Sequence, residues 1–329
     1  MFWFLTLLCA AATAAPFGKK SMQEALGSRQ VDRGLVLPKG WMELELALDS
    51  KRSAAQRGLD GQPEPFAEGA HWSYSRLWLG FSNAFSSRTT LYMRIPFVRA
   101  SMHPAGGSAV TTTAMGDVHT GIVYQHSSGK PLMMAWQLDL KSPSGVEWPG
   151  SLSSSPMGAD SFLTGTGVTN LGLHGHAKAR IGENYALRLS AGYIFKFAAI
   201  VGYVVEDGGF GNGMLDAGDE AVIQWWNGLQ LKPGLCLEVQ AAGSRRGAYR
   251  IGAPGEGIFA AKGSEILGPG IFADAGAAIS WEHAENRALR AGVRHQVAGA
   301  DTRTFATLGL EEFSPQPGTT AELRWSLRW

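Results

Sequence analysis

The chain has 329 residues, only 17% of them charged, with a formal net charge of +1 and two cysteines. Near-neutrality excludes the concentrated basic footprint of a nucleic-acid-binding protein, and one cysteine falls in an expected leader, so no pair remains for a disulfide framework. The 43 glycines and 11 tryptophans suit many turns, close strand packing and interfacial aromatics, a composition open to both secreted and membrane all-β proteins.

Met1 to Ala14, MFWFLTLLCAAATA, is an apolar run ending in small residues, with Ala12-Thr13-Ala14 fitting a small-x-small cleavage site. Residues 1–14 are therefore expected to be a signal peptide, removed together with Cys9. No later run reaches the ~20 apolar residues of a membrane-spanning helix. Residues 15–39 are polar, with a short helix conceivable over Ser21 to Arg29, and are expected to form a periplasmic arm or small plug ahead of a barrel over 40–329.

The first strand is expected at Trp41 to Asp49, with Met42, Leu44, Leu46 and Leu48 on one face and Glu43 and Glu45 on the other. The same alternation recurs along the chain. Thr89 to Phe97 and Leu132 to Leu140 each carry an odd or even apolar row, and Tyr185, Leu187, Leu189, Ala191, Tyr193, Phe195 and Phe197 form the longest. Leu235 to Val239 and Ile271 to Trp281 continue it. Such rows match the ~9–11 residues that a tilted strand needs to cross a bilayer.

Connections alternate in length. Ser86 to Arg88, Ser127 to Lys130, Gly182 to Asn184, Lys232 to Gly234 and His283 to Asn286 are short, and between them lie longer stretches near 50–69, 101–115, 143–167, 198–220 and 246–268. Short turns at one end and long loops at the other are the habit of outer-membrane barrels. The count is about twelve strands, or fourteen if some are missed, with Thr304 to Phe313 placed in an extracellular excursion. The last strand, Thr319 to Trp329, alternates to the final residue, with Ala321, Leu323, Trp325, Leu327 and Trp329 on the apolar side. The fold class expected is thus all-β, a closed antiparallel transmembrane barrel in the outer membrane of a Gram-negative bacterium.

Several short motifs occur in order: Met115-Gly116-Asp117-Val118, Lys141-Ser142-Pro143-Ser144-Gly145, Thr164-Gly165-Thr166-Gly167, Ala191-Gly192-Tyr193-Ile194-Phe195, and Gly218-Asp219. Over residues 70 to 230 this resembles the outer-membrane transporter family associated with phenol meta-cleavage pathways. The chain departs from it at Ser144, where threonine is usual, and in the glycine-rich segment 206–220. The resemblance implies a single barrel that passes small compounds, hydrophobic or aromatic ones among them.

If apolar rows face lipid, the opposite rows line the lumen. That places Asp117, His119, Asp139, Lys141, His174, His176, Lys178, Arg180, Arg188, Lys196, Glu238, Asp274, Arg290 and Arg294 inside. Acids and bases nearly balance, so pairs rather than a single-sign filter are expected. Glu43 and Glu45 are placed to meet Arg324 and Arg328 where the barrel closes, as a seam of paired charges.

His174 and His176 share a face with Lys178 and Arg180, neighbours that oppose a metal ion, so no metal and no cofactor is expected there. Asp207 to Glu220 is oxygen-rich but lacks the acidic spacing of a calcium loop and reads as a solvated extracellular turn. His71-Trp72-Ser73 has the His-x-Ser spacing of barrel phospholipases, but no orienting Asn or Asp follows, and Trp72, Tyr74 and Trp78 read as an interfacial girdle. The chain is therefore not expected to be an enzyme. Expected partners are outer-membrane lipid, a small solute, and the barrel-assembly machinery through the strand ending at Trp329. A channel or passive transporter is the expected function, with a structural or adhesive barrel with a loop-filled lumen as the alternative.

Overall fold

The computed structural model describes residues 34–57, 63–127, 131–145, 149–151, 167–204, 210–252, 264–284, 286–303 and 318–329. The expected leader, the short helix at 21–29 and the segment 304–313 lie outside them.

Among the described residues, twelve antiparallel strands form one ring: β1 (Met42–Ser53), β2 (His71–Ala84), β3 (Thr89–His103), β4 (Val118–Ser127), β5 (Leu132–Ser142), β6 (Asn170–Ile181), β7 (Tyr185–Lys196), β8 (Glu220–Lys232), β9 (Leu235–Arg246), β10 (Ser264–Ala284), β11 (Arg287–Arg303) and β12 (Thr319–Arg328). Each pairs with its neighbour in the chain. Pairing of β1 with β12, from Glu43 opposite Arg328 to Arg52 opposite Thr319, closes the ring. Beyond that register Met42 N donates to Trp329 O at 2.8 Å and Trp329 N to Met42 O at 3.0 Å. Closure leaves no free edge among these twelve described strands, which the absence of water in hydrocarbon demands.

Alternation decides the two faces. On β5, Trp136 is 55% exposed and Leu138 45%, whereas their neighbours Met133 and Ala135 are buried. The oily rows point outward around the ring, including Leu48, Phe97, Leu173, Ile223, Ile279 and Leu323. An apolar surface this large has no soluble rationale, and the charged residues turned inward complete the outer-membrane pattern. Tight turns hold the end where β1 begins and β12 finishes. Gly182 (φ 64°) and Gly234 (φ 75°) occupy left-handed positions there, and a Cβ on Gly234 would lie 2.9 Å from Glu282 O.

At the other end the stretches expected as loops partly continue the sheet. Val110–Met115 pairs with β3, Ala199–Val204 and Phe210–Asp216 form a hairpin, and Tyr249–Gly252 joins that hairpin to β10. The segment 206–220, expected as a solvated turn, thus carries a strand over 210–216. A second correction concerns the aromatic girdle. Trp72 and Tyr74 point into the barrel, are buried, and pack with Val98, Ala100 and Met102 against Phe66 from the preceding connection. Their positions on β2 are even-numbered, out of phase with the outward row Leu77, Leu79 and Phe81, and phase outranks residue type.

Candidate solute pathway

Inside the ring lies a cavity of about 840 Å³ whose lining runs from Glu43 and Arg328 near the terminal end to Asp274 and Arg294. Eight carboxylates and eight Lys or Arg side chains line it, so its fixed charge is balanced. Pairing is extensive. Arg328 bonds Glu43 and, at 3.1 Å, Glu282; Arg324 lies 3.4 Å from Glu45. The contacts to Glu43 and Glu45 form the seam between β12 and β1, whose register sets Arg328 opposite Glu43 and brings Arg324 to Ala47, one inward position from Glu45, while Glu282 reaches Arg328 from β10. Arg290 holds both Glu238 (2.8 Å) and Glu322 (2.9 Å), Arg294 reaches Glu322 at 3.3 Å, and Arg76 reaches Asp49 at 3.0 Å. Long guanidinium forks from neighbouring strands suit such bridging.

The opposite wall, β5 to β8, carries a different chemistry. His174 Nε2 lies 3.1 Å from Asp139, while His176 is held between Ser190 (2.7 Å) and Gln137 Oε1 (2.9 Å). Lys178 and Arg188 stand opposite each other in register, with their cations 5.9 and 5.6 Å from the Trp226 ring centroid. Arg188 is exposed to the lumen. Among the described residues, no carboxylate lies within ion-pair distance of it.

Glycines shape this wall. A Cβ at Gly228 would lie 2.3 Å from the tip of the Trp226 indole, at Gly192 it would lie 2.1 Å from His174 Nδ1, and at Gly121 it would lie 2.4 Å from the Tyr92 hydroxyl. Each of these rings lies flat along the wall over a missing side chain, which leaves the centre of the lumen clear. At the terminal end residues 34–37 also border the cavity, where Leu35 N donates to Gln125 Oε1 (2.9 Å) and Leu37 N to Thr90 Oγ1 (3.0 Å).

Every residue expected in the lumen falls on an inward row, but the structure divides them. Asp139, His174, His176, Lys178, Arg188, Glu238, Asp274, Arg290 and Arg294 border the cavity with the four seam residues. Asp117 and Lys141 are instead buried and paired at 3.4 Å near the long-loop end. Lys196 pairs with Glu220 at 3.1 Å, His119 packs edge-on against Trp78, and Arg180 sits on the inward row at the short-turn end. Asp49, Arg76, Trp78, Tyr92, Arg94 and Trp226 also border the cavity and were not expected there. The inward phase of each strand identifies them: Asp49 is in phase with Glu43 and Glu45, and Arg76 and Trp78 are out of phase with the oily Leu77 and Leu79.

The motif residues hold strand ends. Asp117 Oδ1 accepts from Ser144 N (3.2 Å) and Gly145 N (3.1 Å), and Ser144 Oγ accepts from Val118 N (2.9 Å). The hydroxyl at 144 is what matters, and serine supplies it as threonine would. Asp219 repeats the device, accepting from Lys196 N and the Tyr193 hydroxyl, both at 3.0 Å. Asp216 accepts from Gly218 N at 3.0 Å, so the two described aspartates of the glycine-rich segment serve the backbone, while Glu220 pairs with Lys196. His71 stacks on His103, with centroids 4.2 Å apart, and Trp72 separates it in sequence from Ser73.

Neither family models nor curated proteins match the chain. Among solved structures, an outer-membrane channel from Pseudomonas putida F1 is similar with a TM-score of 0.66 at 13% identity, covering 89% of this chain and 97% of that one. More distant are the NanC porin (TM-score 0.42, 7% identity, 86% and 98% covered) and a mutant of the TodX monoaromatic hydrocarbon channel (0.45, 9%, 94% and 98%). The first likeness shows a shared fold. The chain is a closed twelve-stranded β-barrel of the outer-membrane type, in agreement with the architecture that the sequence resemblance implied.

Proposed function

We propose that this barrel is a passive outer-membrane channel for small solutes that combine a polar group with an apolar or aromatic body. The observation that carries the reading is the cavity inside the closed ring, walled by paired charges and by rings laid flat over glycine. Balanced charge gives no barrier to either sign of ion, and the faces of Trp78, Tyr92 and Trp226 offer apolar contact between the polar groups. The hydrogen-bonded row Ser190, His176 and Gln137 borders the same cavity and is read here as part of its polar wall. The channel assignment of the Pseudomonas putida protein points the same way.

In this reading the arm, 15–39, narrows the periplasmic mouth, because its described end at 34–37 is hydrogen-bonded to the inner wall. Liposome swelling tests the function. Proteoliposomes should admit small zwitterions and monosaccharides at rates that fall with solute size. Lack of swelling across the panel would favour a structural barrel with a filled lumen, for which the Trp72 cluster and residues 34–37 are the starting material.

A further inference from the structure

The outward face of β1 to β3 differs from the rest of the ring at its long-loop end. Below, it carries the ordinary oily rows, with Leu48, Leu77 and Phe97 each exposed by 42–45%. Above them the outward positions change abruptly to Ser50 and Arg52 on β1, Ser73 and Ser75 on β2, and Arg99 and Ser101 on β3, with Thr111 and Thr113 on the adjoining strand. Ser50 and Ser75 hydroxyls lie 3.3 Å apart, and the buried Ser101 hydroxyl lies 2.8 Å from that of the exposed Thr111, so Ser50, Ser73, Ser75, Thr111 and Thr113 make up the accessible polar shelf. Arg52 and Arg99 are exposed upon it, and the stacked rings of His71 and His103 stand at its upper rim.

The shelf has one sign of charge. The nearest carboxylates on the same strands, Glu45 and Asp49, point inward and are engaged by Arg94, Arg324, Arg76 and the Trp78 indole; Glu64 and Glu68 belong to the connection above. On β7, β8 and β10 the outward positions at this level are oily, and the outward Arg245 of β9 stands opposite Ile271 without a second arginine on the strands beside it. Tyr193 and Phe195 on β7, Ile223 on β8 and Ile271 on β10 are exposed there by 41–59%. A uniform lipid environment would not require this asymmetry.

We propose that the β1–β3 shelf is a docking site for the phosphorylated headgroup of an outer-leaflet glycolipid, with its acyl chains lying on the oily rows beneath. The proposal rests on the membrane-spanning reading of the barrel and is independent of whether the lumen conducts. Arg52 and Arg99 sit two strands apart and are offset by one outward position along them, ~12 Å at the usual strand spacing and rise, so each can take its own phosphate oxygens in the two-pronged geometry guanidinium favours. The serine and threonine hydroxyls suit sugar hydroxyls. Apolar side chains at this height, such as Phe195 on β7 and Ile271 on β10, would face headgroups with no polar partner.

Native mass spectrometry of the full chain in neutral detergent tests this, with bisphosphorylated lipid A and chemically dephosphorylated lipid A as probes. The phosphorylated lipid should bind at least ten-fold more tightly. Arg52→Gln with Arg99→Gln should lower that affinity by about ten-fold or more, as expected for two charge-assisted contacts. Arg245→Gln, an outward arginine of β9, should leave it unchanged. Equal binding of the two lipids by the native chain, undiminished binding by the double variant, an equal loss in Arg245→Gln, or displacement by millimolar inorganic phosphate would each overturn the site. Liposome swelling by the double variant should match the native chain, since both side chains point away from the lumen, so failure of lipid docking and failure of permeation are separate results.

Discussion

Individual residues set the width of this lumen through what they lack. Gly228 leaves room for the Trp226 indole to lie against the wall, and a methyl group there would meet the far end of that ring 2.3 Å away. The part that must move is a side chain rather than backbone, so Gly228→Ala should fold normally and swing the indole into the lumen. Single-channel conductance should fall in this variant and rise in Trp226→Ala; an unchanged Gly228→Ala conductance would show that the ring does not bound the path. At the seam, Arg328 serves Glu43 and Glu282 together. Arg328→Gln should lower barrel stability by about 1.5–3 kcal/mol, the usual scale of a charged hydrogen bond, read as a lower temperature for the heat-induced shift of the folded band on an electrophoresis gel.

Strand ends depend on local staples. Asp117 ties the start of β4 to Ser144 and Gly145 just past β5, and accepts Lys141 from within the barrel. Asp117→Ala should therefore expose the connection after β5 to external protease while conductance is preserved; an unchanged cleavage pattern would deny the staple its role. The arm is a second element with its own outcome. Deleting residues 15–37 removes the hydrogen bonds to Gln125 and Thr90, and conductance should rise if that segment narrows the mouth.

Much of this element-level picture is legible from sequence, because a period of two is decided by the bilayer on one side and water on the other. The strands at 185–197 and 235–245 fall within a residue of their observed bounds for that reason. The tryptophans of β2 were misplaced because an indole at the membrane interface and one inside the barrel are the same residue, separated only by phase. The hairpin over 199–216 escaped notice because above the membrane no oily face is required, which leaves glycine-rich sequence without alternation to read. Side-chain positions inside the lumen were less legible still. The inward row names Asp117 and Lys141 as readily as Asp139 and Arg188, and only strand length beyond the cavity tells a buried pair from a residue on the path.

At the scale of the whole molecule, balance of charge has a measurable consequence. With equal numbers of carboxylates and Lys or Arg along the cavity, a salt gradient across a planar bilayer should give a reversal potential close to zero. A potential near the limit for either ion would mean that the pairs described here do not neutralise one another in the conducting state. The molecule rests on one division of labour, with oily rows against hydrocarbon and charged rows against water.

Cysteine accessibility tests that division directly. In a background with the buried Cys236 changed to serine, Gln240→Cys sits on the inward row of β9 and Val239→Cys, its neighbour, on the outward row at 44% exposure. In proteoliposomes, a small water-soluble, membrane-impermeant thiol reagent should label position 240 quickly and position 239 hardly at all. Rapid labelling at 239 with protection at 240 would reverse the two faces and contradict the barrel as a water-filled passage through a membrane.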